Sequence, residues 1–448
     1  MFCRCENGFG AEPNTHTCPV CLALPGALPL PNRRAIEETI RLGLALGCEI
    51  AERAVFHRKN YFYPDLPKGY QISQYDEPLC RGGRLVVPTA EGNVEVGIVR
   101  THLEEDAAKN VHVAASGRIH GATATLIDFN RAGTALLEIV SAPELHSADH
   151  AKRFLQLMRQ TVVELGLSDA ELEKGSMRFD INVSVRPVGS QELRTRTELK
   201  NMNSFNFAAK GIEREIARQI EIYEAGGRVE QETLHFDPGD ENSPPLRSKE
   251  EAEDYRYFPE PDLVPVSPPR ELVEALRQKP GGLPGERIER IAGLLSFSEA
   301  EVLVMGGLDR LWSAVVEAGA DPKPAANVLA NAFLAAGIDP ASVDPSELAR
   351  LVQARAEIPR AAFDEALAHL GEDGFSADPY LERRTVSDVG ALDPVIDAII
   401  AANPGQVAQF RSGKEGLIGF FVGQVMKKTE GTADPRVVNE RLRERLRA

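Results

Sequence analysis

The sequence predicts an α+β region reaching to about residue 268, followed by a chain that is all-helical to its end. Three observations carry this. At 448 residues the chain is too long for one hydrophobic core. Alternating strand patterns are interleaved with amphipathic helices in the first part. From about residue 270 the pattern changes to successive helical segments separated by short Pro/Gly breaks.

Taken in order, the segment "RRAIEETIRLGLALGCEIAE" (33–52) carries Ile36, Ile40, Leu44 and Cys48 at four-residue spacing and predicts a helix. The stretch 56–78, with four tyrosines and three prolines among basic residues, reads as an irregular binding segment or an aromatic structural loop. "NVEVGIVRTHLEED" (93–106) begins as a strand, with Val94, Val96 and Ile98 alternating. A second strand around Leu136–Val140 carries Glu138 inside an apolar run, where a carboxylate needs a cation or a metal as partner. Residues 146–166 predict a helix ended by Gly166.

"GSMRFDINVSVRP" (175–187) predicts the clearest strand: Met177, Phe179, Ile181, Val183 and Val185 on one face, Arg178, Asp180, Asn182, Ser184 and Arg186 on the other. Its polar face suits a cleft, with an ordinary solvent face as the plainer reading. A helix from about Ser204 ends at Gly226-Gly227. The aromatic, acidic segment 254–269 precedes the helical run, which includes "PRELVEALRQ", "SFSEAEVLVMG", "LDRLWSAVVEAGA", "AANVLANAFLAAG", "PSELARLVQAR" and "PRAAFDEALAHLG".

Four of the six cysteines lie in the first 21 residues, as Cys3-x-Cys5 and Cys18-x-x-Cys21. No export signal or membrane-length apolar run is evident, so a cytoplasmic, thiol-reducing setting is expected. Four thiolates paired on tight turns there predict a closed tetrahedral Zn²⁺ site, which shapes a loop and performs no chemistry. Four reduced thiols in a loop are the alternative, and His16 reads as a turn residue. Cys48 and Cys80 read as buried apolar residues.

The net charge of −16 excludes a protein that coats nucleic acid by general electrostatics. The balance reverses locally: from Arg411 onward nine Lys/Arg oppose five acids. That tail fits either a local nucleic-acid contact or a helix face laced with ion pairs. There is no G-x-x-x-x-G-K-[ST] loop, no G-x-G-x-x-G, no G-x-S-x-G elbow and no amidase-type serine loop.

Eight strings extend the reading: "FGAEPNTHTCPVCLALPG", "RKNYFYPDLPKGYQISQYDEPL", "THLEEDAAK", "DFNRAGTALLEIVS", "GSMRFDINVSVRP", "TELKNMNSF", "DYRYFPEPDLVP" and "GFFVGQVMKKTEGTADP". In this order, across essentially the whole chain, they resemble the B-subunit family (GatB) of the tRNA-dependent Asp/Glu amidotransferase heterotrimer GatCAB. The resemblance implies an N-terminal cradle domain with a mixed β-sheet (1–268), an all-α helical domain (269–385) and a small helical tail domain (386–448). It implies an ATP-dependent carbon–nitrogen ligase with glutamine as amide donor. The side-chain carboxylate of misacylated Glu-tRNA(Gln) or Asp-tRNA(Asn) would be phosphorylated by ATP and then amidated with ammonia from the A subunit of the heterotrimer. The A and C subunits and the tRNA are the implied partners; no membrane is.

The same resemblance implies Mg²⁺ ligands at Glu105 and Glu138 and a structural Zn²⁺ at Cys3, Cys5, Cys18 and Cys21. Arg178, Asp180 and Asn182 become candidates to orient the reacting groups. Residues 59–63 and 68–74 would line the cradle near the acceptor end or the ammonia route. Lys414, Lys427, Lys428 and Arg441 become candidate tRNA contacts. Family members usually carry a strand with Glu and His before the first cysteine pair, so the expectation is a longer functional protein with a start upstream of Met1. If that strand is truly absent, the alternative is a non-catalytic zinc-containing tRNA-binding scaffold. An unrelated zinc-ribbon RNA-binding protein fits the ordered strings less well.

Overall fold

The computed structural model describes all residues except 114–120, 201, 236–244, 249–254, 278–280, 334–336 and 448. Parts of four expected segments, "TELKNMNSF" at 201, "DYRYFPEPDLVP" at 254, "PRELVEALRQ" at 278 and "AANVLANAFLAAG" at 334–336, lie outside the described residues. The chain divides into two compact units, Met1–Glu286 and Arg287–Ala448. The first is mixed α/β with several sheets, and the described part of the second is helical.

The strands of the first unit, in chain order, are β1 (Glu49–Ile50), β2 (His57–Asn60), β3 (Tyr70–Ser73), β4 (Cys80–Arg81), β5 (Arg84–Thr89), β6 (Gly92–Glu105), β7 (Lys109–His112), β8 (Thr125–Asp128), β9 (Ala135–Ser141), β10 (Ile181–Val183), β11 (Thr197–Lys200), β12 (Glu232–His235), β13 (Pro245–Ser248) and β14 (Phe258–Pro259). The long β6 is the spine of an antiparallel five-stranded sheet. Its first half pairs with β5 and its second half with β9, from Ile98↔Ser141 to Glu105↔Ala135. A smaller antiparallel sheet runs β14-β2-β3, and β7 pairs with β8. Parallel pairing of β11 with β12 makes the β10-β11-β12-β13 sheet the mixed one.

Three helices accompany these sheets: α1 (Arg33–Ala45), α2 (Ala148–Glu164) and α3 (Phe205–Glu224). Each starts at a side-chain cap, respectively Asn32, Ser147 and Ser204, which accepts a hydrogen bond from a first-turn amide. The helix expected over 33–52 stops at Ala45, because Gly47 takes φ +72° and the Cys48 amide returns to the Gly43 carbonyl at 2.8 Å. Residues 49–50 are then free to form β1.

The segment 56–78, read as irregular, holds β2 and β3 on either side of its loop. The strand expected over 175–187 pairs only at Ile181–Val183, although the alternation of sheltered and exposed residues runs from Met177 through Val183. Its apolar face packs with Leu199, Ile212 and Leu234. Side-chain alternation reports which face is sheltered and not which backbone pairs, so periodicity overstates the strand.

The helices that follow are α4 (Arg270–Leu276), α5 (Pro284–Ala292), α6 (Phe297–Met305), α7 (Asp309–Glu317), α8 (Pro322–Asn327), α9 (Pro345–Gln353), α10 (Arg360–His369), α11 (Asp378–Leu381), α12 (Val389–Ala402), α13 (Pro404–Arg411), α14 (Ile418–Lys428) and α15 (Pro435–Arg447). A capping box between Ser296 and Glu299 opens α6. The expected helix over 325–337 begins as α8 and passes into a π-helical turn at Val328–Phe333. Around Phe421, Leu392, Ile396, Val438 and Leu442 the last helices close a core of their own.

Candidate functional site

Strand β6 presents two chemistries on its two faces. Its side chains alternate, so His102 and Glu104 share one face and Leu103 and Glu105 the other. On β9, Glu138 lies opposite His102, and their side chains meet at 3.1 Å, His102 Nε2 to Glu138 Oε2. Arg100 Nε reaches His102 Nδ1 at 3.4 Å, which leaves the ring proton on Nε2 to donate to the carboxylate. His102 is buried, while the Glu138 side chain keeps 47% of its surface exposed. The lone glutamate of the apolar run thus reaches the sheet surface and has a histidine partner.

Ligand atoms of His102, Glu104 and Glu138 all lie within 4.8 Å of one another. Ser73, on β3, donates its hydroxyl to Glu104 at 3.2 Å. Burial, with the nearby Glu138 charge, pushes the Glu104 carboxyl up, while the hydrogen bond from His102 holds Glu138 below its usual range. Two carboxylates with opposed shifts mark a site where negative charge is concentrated.

Glu105, expected to share a metal with Glu138, lies outside this group. It points to the opposite face, buried, with Lys68 as ion-pair partner and the Ile72 amide donating to it at 2.8 Å. Sequence pattern does not single out Glu104 and His102. The signal that could find them is the period-2 spacing across Leu103.

A wall of aromatic residues faces the carboxylates. Tyr75 stacks on Tyr257, with centroids 4.3 Å apart, and Tyr255 meets Tyr257 edge-on at 6.1 Å. Lys59 Nζ lies 4.7 Å over the Tyr255 ring. The wall is fixed through Arg58, whose guanidinium makes two 2.7 Å bonds to the fully buried carboxylate of Glu260 beside β14.

Arg178, Asp180 and Asn182 share one face as expected. Among the described residues, Arg178 pairs with Asp106 at 2.6 Å and Asp180 with Lys200 at 2.6 Å, while Asn182 is exposed on β10. These pairs do not join them to His102, Glu104 and Glu138. A separate cleft of about 450 Å³, lined by residues including Lys152, Arg159 and Phe205, contains none of the expected site residues.

The sulfur atoms of Cys3, Cys5, Cys18 and Cys21 also lie within 4.8 Å of one another. Cys21 Sγ is 3.8 Å from Cys18 and 4.0 Å from Cys5. A Zn–S length of about 2.3 Å places tetrahedral sulfurs about 3.8 Å apart, so this cluster fits the ion. Burial raises the Cys18 thiol, but hydrogen bonds from the Cys21 and Val20 backbone outweigh it and bring it down to about 7. The loop is strapped to the 128–131 turn by Asn14 to Asp128, 3.0 Å, and Asn130 to Glu12, 2.7 Å. His16 stays outside the cluster. Cys48 and Cys80 are buried, as their isolation suggests.

In the tail, Lys414, Lys427 and Lys428 are exposed. Arg441 is instead committed to Asp393 on α12 through bonds of 2.9 and 2.5 Å, and Arg445 joins the same carboxylate at 2.7 Å. No described helix is long and apolar enough to cross a membrane.

A model of the GatB/GatE catalytic domain matches residues 1–274, and a model of the GatB domain matches 310–446. The chain is similar to proteins described as the B subunit of aspartyl/glutamyl-tRNA(Asn/Gln) amidotransferase. That of Geobacter sulfurreducens is 46% identical over 466 residues, covering 100% of this chain and 96% of the relative. Those of Anaeromyxobacter sp. (strain K) and Geotalea daltonii are each 46% identical, covering 100% of this chain and 95% of the relative. Matched from end to end by relatives of one description and by both domain models, the chain belongs to the GatB family.

Proposed function

We propose that the chain is the B subunit of a glutamine-dependent tRNA amidotransferase, working with the A and C subunits. It phosphorylates the side-chain carboxylate of Glu-tRNA(Gln), Asp-tRNA(Asn) or both with ATP, and ammonia supplied by the A subunit then displaces the phosphate. The observation that carries this is the convergence of Glu104 and Glu138 beside His102 within the residues matched by the catalytic-domain model.

The donor set fits a hard divalent cation. Mg²⁺ takes one or two carboxylates and leaves its other positions to water and phosphate oxygens. Glu104 and Glu138 are the residues that would hold it, with His102 orienting Glu138. When bound, the ion supplies charge neutralisation for the phosphates. A free carboxylate is a poor electrophile, and phosphorylation supplies the leaving group that ammonia needs. Arg178, Asp180 and Asn182 remain candidates for orienting the acyl end from the polar face of β10. Lys68 and the Ile72 amide meet Glu105, whereas Ser73 meets Glu104; we place the ammonia route along the Lys68–Glu105 side.

Zn²⁺ on the four cysteines would hold the N-terminal loop. Division at 268 and 385 is supported by the change from sheets to helices and by the separate core of the tail. Within that tail, the exposed Lys414, Lys427 and Lys428 suit tRNA phosphates, and Arg441 suits a structural role.

The test is transfer of ³²P from the γ-phosphate of ATP to Glu-tRNA(Gln) and Asp-tRNA(Asn) by the heterotrimeric complex. Transfer that depends on a divalent cation and is lost in Glu104→Gln is expected. tRNA binding without transfer would leave the zinc-containing scaffold as the function.

A further inference from the structure

Among the described residues, Lys59 is a cation with no anionic partner. It projects from β2, whose register sets His57 opposite Ser73 and Lys59 opposite Gln71. Ser73 touches Glu104 on one side of this face, and Tyr61 and Tyr255 hold the Lys59 ammonium at 5.9 and 4.7 Å from their ring centres on the other. Yet among the described residues it makes no ion pair. The neighbouring bases are committed elsewhere: Arg58 to Glu260, Lys68 to Glu105, Arg100 to His102.

Charge balance says what this arrangement awaits. Two carboxylates are neutralised by one divalent cation. A nucleoside triphosphate arriving with that cation brings further negative charge, which needs a donor not already satisfied. Aromatic faces hold an ammonium by their quadrupoles without neutralising it, and a partly buried site strengthens what it then binds.

We propose that Lys59 grips the γ-phosphoryl group of the nucleotide and is a positioning and charge-stabilising residue for its transfer. The inference rests on the functional reading above. In the step it serves, an oxygen of the aminoacyl carboxylate forms a bond to the γ-phosphorus. The bond from that phosphorus to the β,γ-bridging oxygen breaks, and ADP leaves with the electron pair. Lys59 donates hydrogen bonds to the non-bridging oxygens throughout and gives up no proton.

The test uses the heterotrimeric complex with Lys59→Met and Lys59→Arg. Two quantities are read: single-turnover γ-phosphate transfer, and the affinities for ADP and for the β,γ-imido analogue of ATP. Loss of one preorganised donor predicts transfer slower by about 10²–10³-fold in Lys59→Met. Analogue affinity should fall about 10- to 100-fold, as for a lost hydrogen bond to a charged group, while ADP and Mn²⁺ affinities hold. Lys59→Arg, which keeps the charge over Tyr255, should retain analogue affinity with slower transfer. A Lys59→Met complex that transfers at the wild-type rate, or that loses ADP and analogue affinity alike, overturns the proposal alone. No transfer by the wild-type complex overturns the functional reading and this one with it.

Discussion

Replacing Glu260 by Gln should loosen the aromatic wall from behind. The Glu260 side chain is fully buried, and the Arg58 side chain keeps 20% of its surface exposed. Two parallel bonds of 2.7 Å join them, and the Asp262 amide donates to the same carboxylate at 3.1 Å. Removing one partner of a buried pair costs about 3–5 kcal/mol. Arg58 retains a 3.4 Å contact to Asp262 and its stacking 4.2 Å over Tyr70. The low end, about 3 kcal/mol, is therefore expected. The first unit ends at Glu286, and unfolding entropy of about 2.1 cal/mol/K per residue gives it about 600 cal/mol/K. The predicted fall in Tm is thus about 5 °C, read by calorimetry. Because β14 pairs with β2 through Phe258↔Arg58, the Tyr257 ring should gain mobility in the same variant, visible as exposure to a tyrosine quencher. A Tm drop under about 1.5 °C, corresponding to less than about 1 kcal/mol, would refute the reasoning that this pair fastens the wall.

Other outcomes follow from the same geometry. The raised Glu104 carboxyl means that the folded state holds this proton more tightly than the unfolded chain. Stability is therefore lost as pH rises from the unfolded pKa through the raised folded one, and Glu104→Gln should melt higher than wild type at pH 7; a lower melting temperature contradicts this. The cysteine cluster predicts one zinc per chain by elemental analysis, with Cys18→Ser releasing it and lowering the melting temperature. Metal-free protein of unchanged stability would exclude the site. In the tail, Lys427→Ala with Lys428→Ala should reduce the salt dependence of tRNA affinity by about one unit of slope per lysine, whereas Arg441→Met should destabilise the last helices and leave that slope alone. The reverse pattern would make Arg441 the phosphate contact.

The sequence made the spine of the site legible and left its choice of carboxylate open. Val94, Val96 and Ile98 announce β6, and Glu138 stands out within β9. Glu104 and Glu105, however, are adjacent and chemically alike. Only the register that sets His102 against Glu138 decides which of them faces the site. In 33–52, apolar spacing continues past Gly47, so periodicity extends the helix beyond the residue whose left-handed backbone ends it. The pairs β2–β3 and β14–β2 were hidden because Lys59, the tyrosines and the prolines obscure any alternation. The partners Arg58 and Phe258 are joined by long-range pairing that local pattern does not encode. Lys59 likewise becomes informative only once the fates of Arg58, Lys68 and Arg100 are known.

The most direct test of the site is Mn²⁺ titration, followed by electron paramagnetic resonance, of the heterotrimeric complex and its Glu104→Gln, Glu138→Gln and Glu105→Gln variants. The arrangement of β6 and β9 predicts binding weakened at least about 10-fold by the first two, each losing a charged ligand, and retained in the third. Binding abolished by Glu105→Gln and unchanged in Glu104→Gln would place the metal on the opposite face of the sheet and contradict the account.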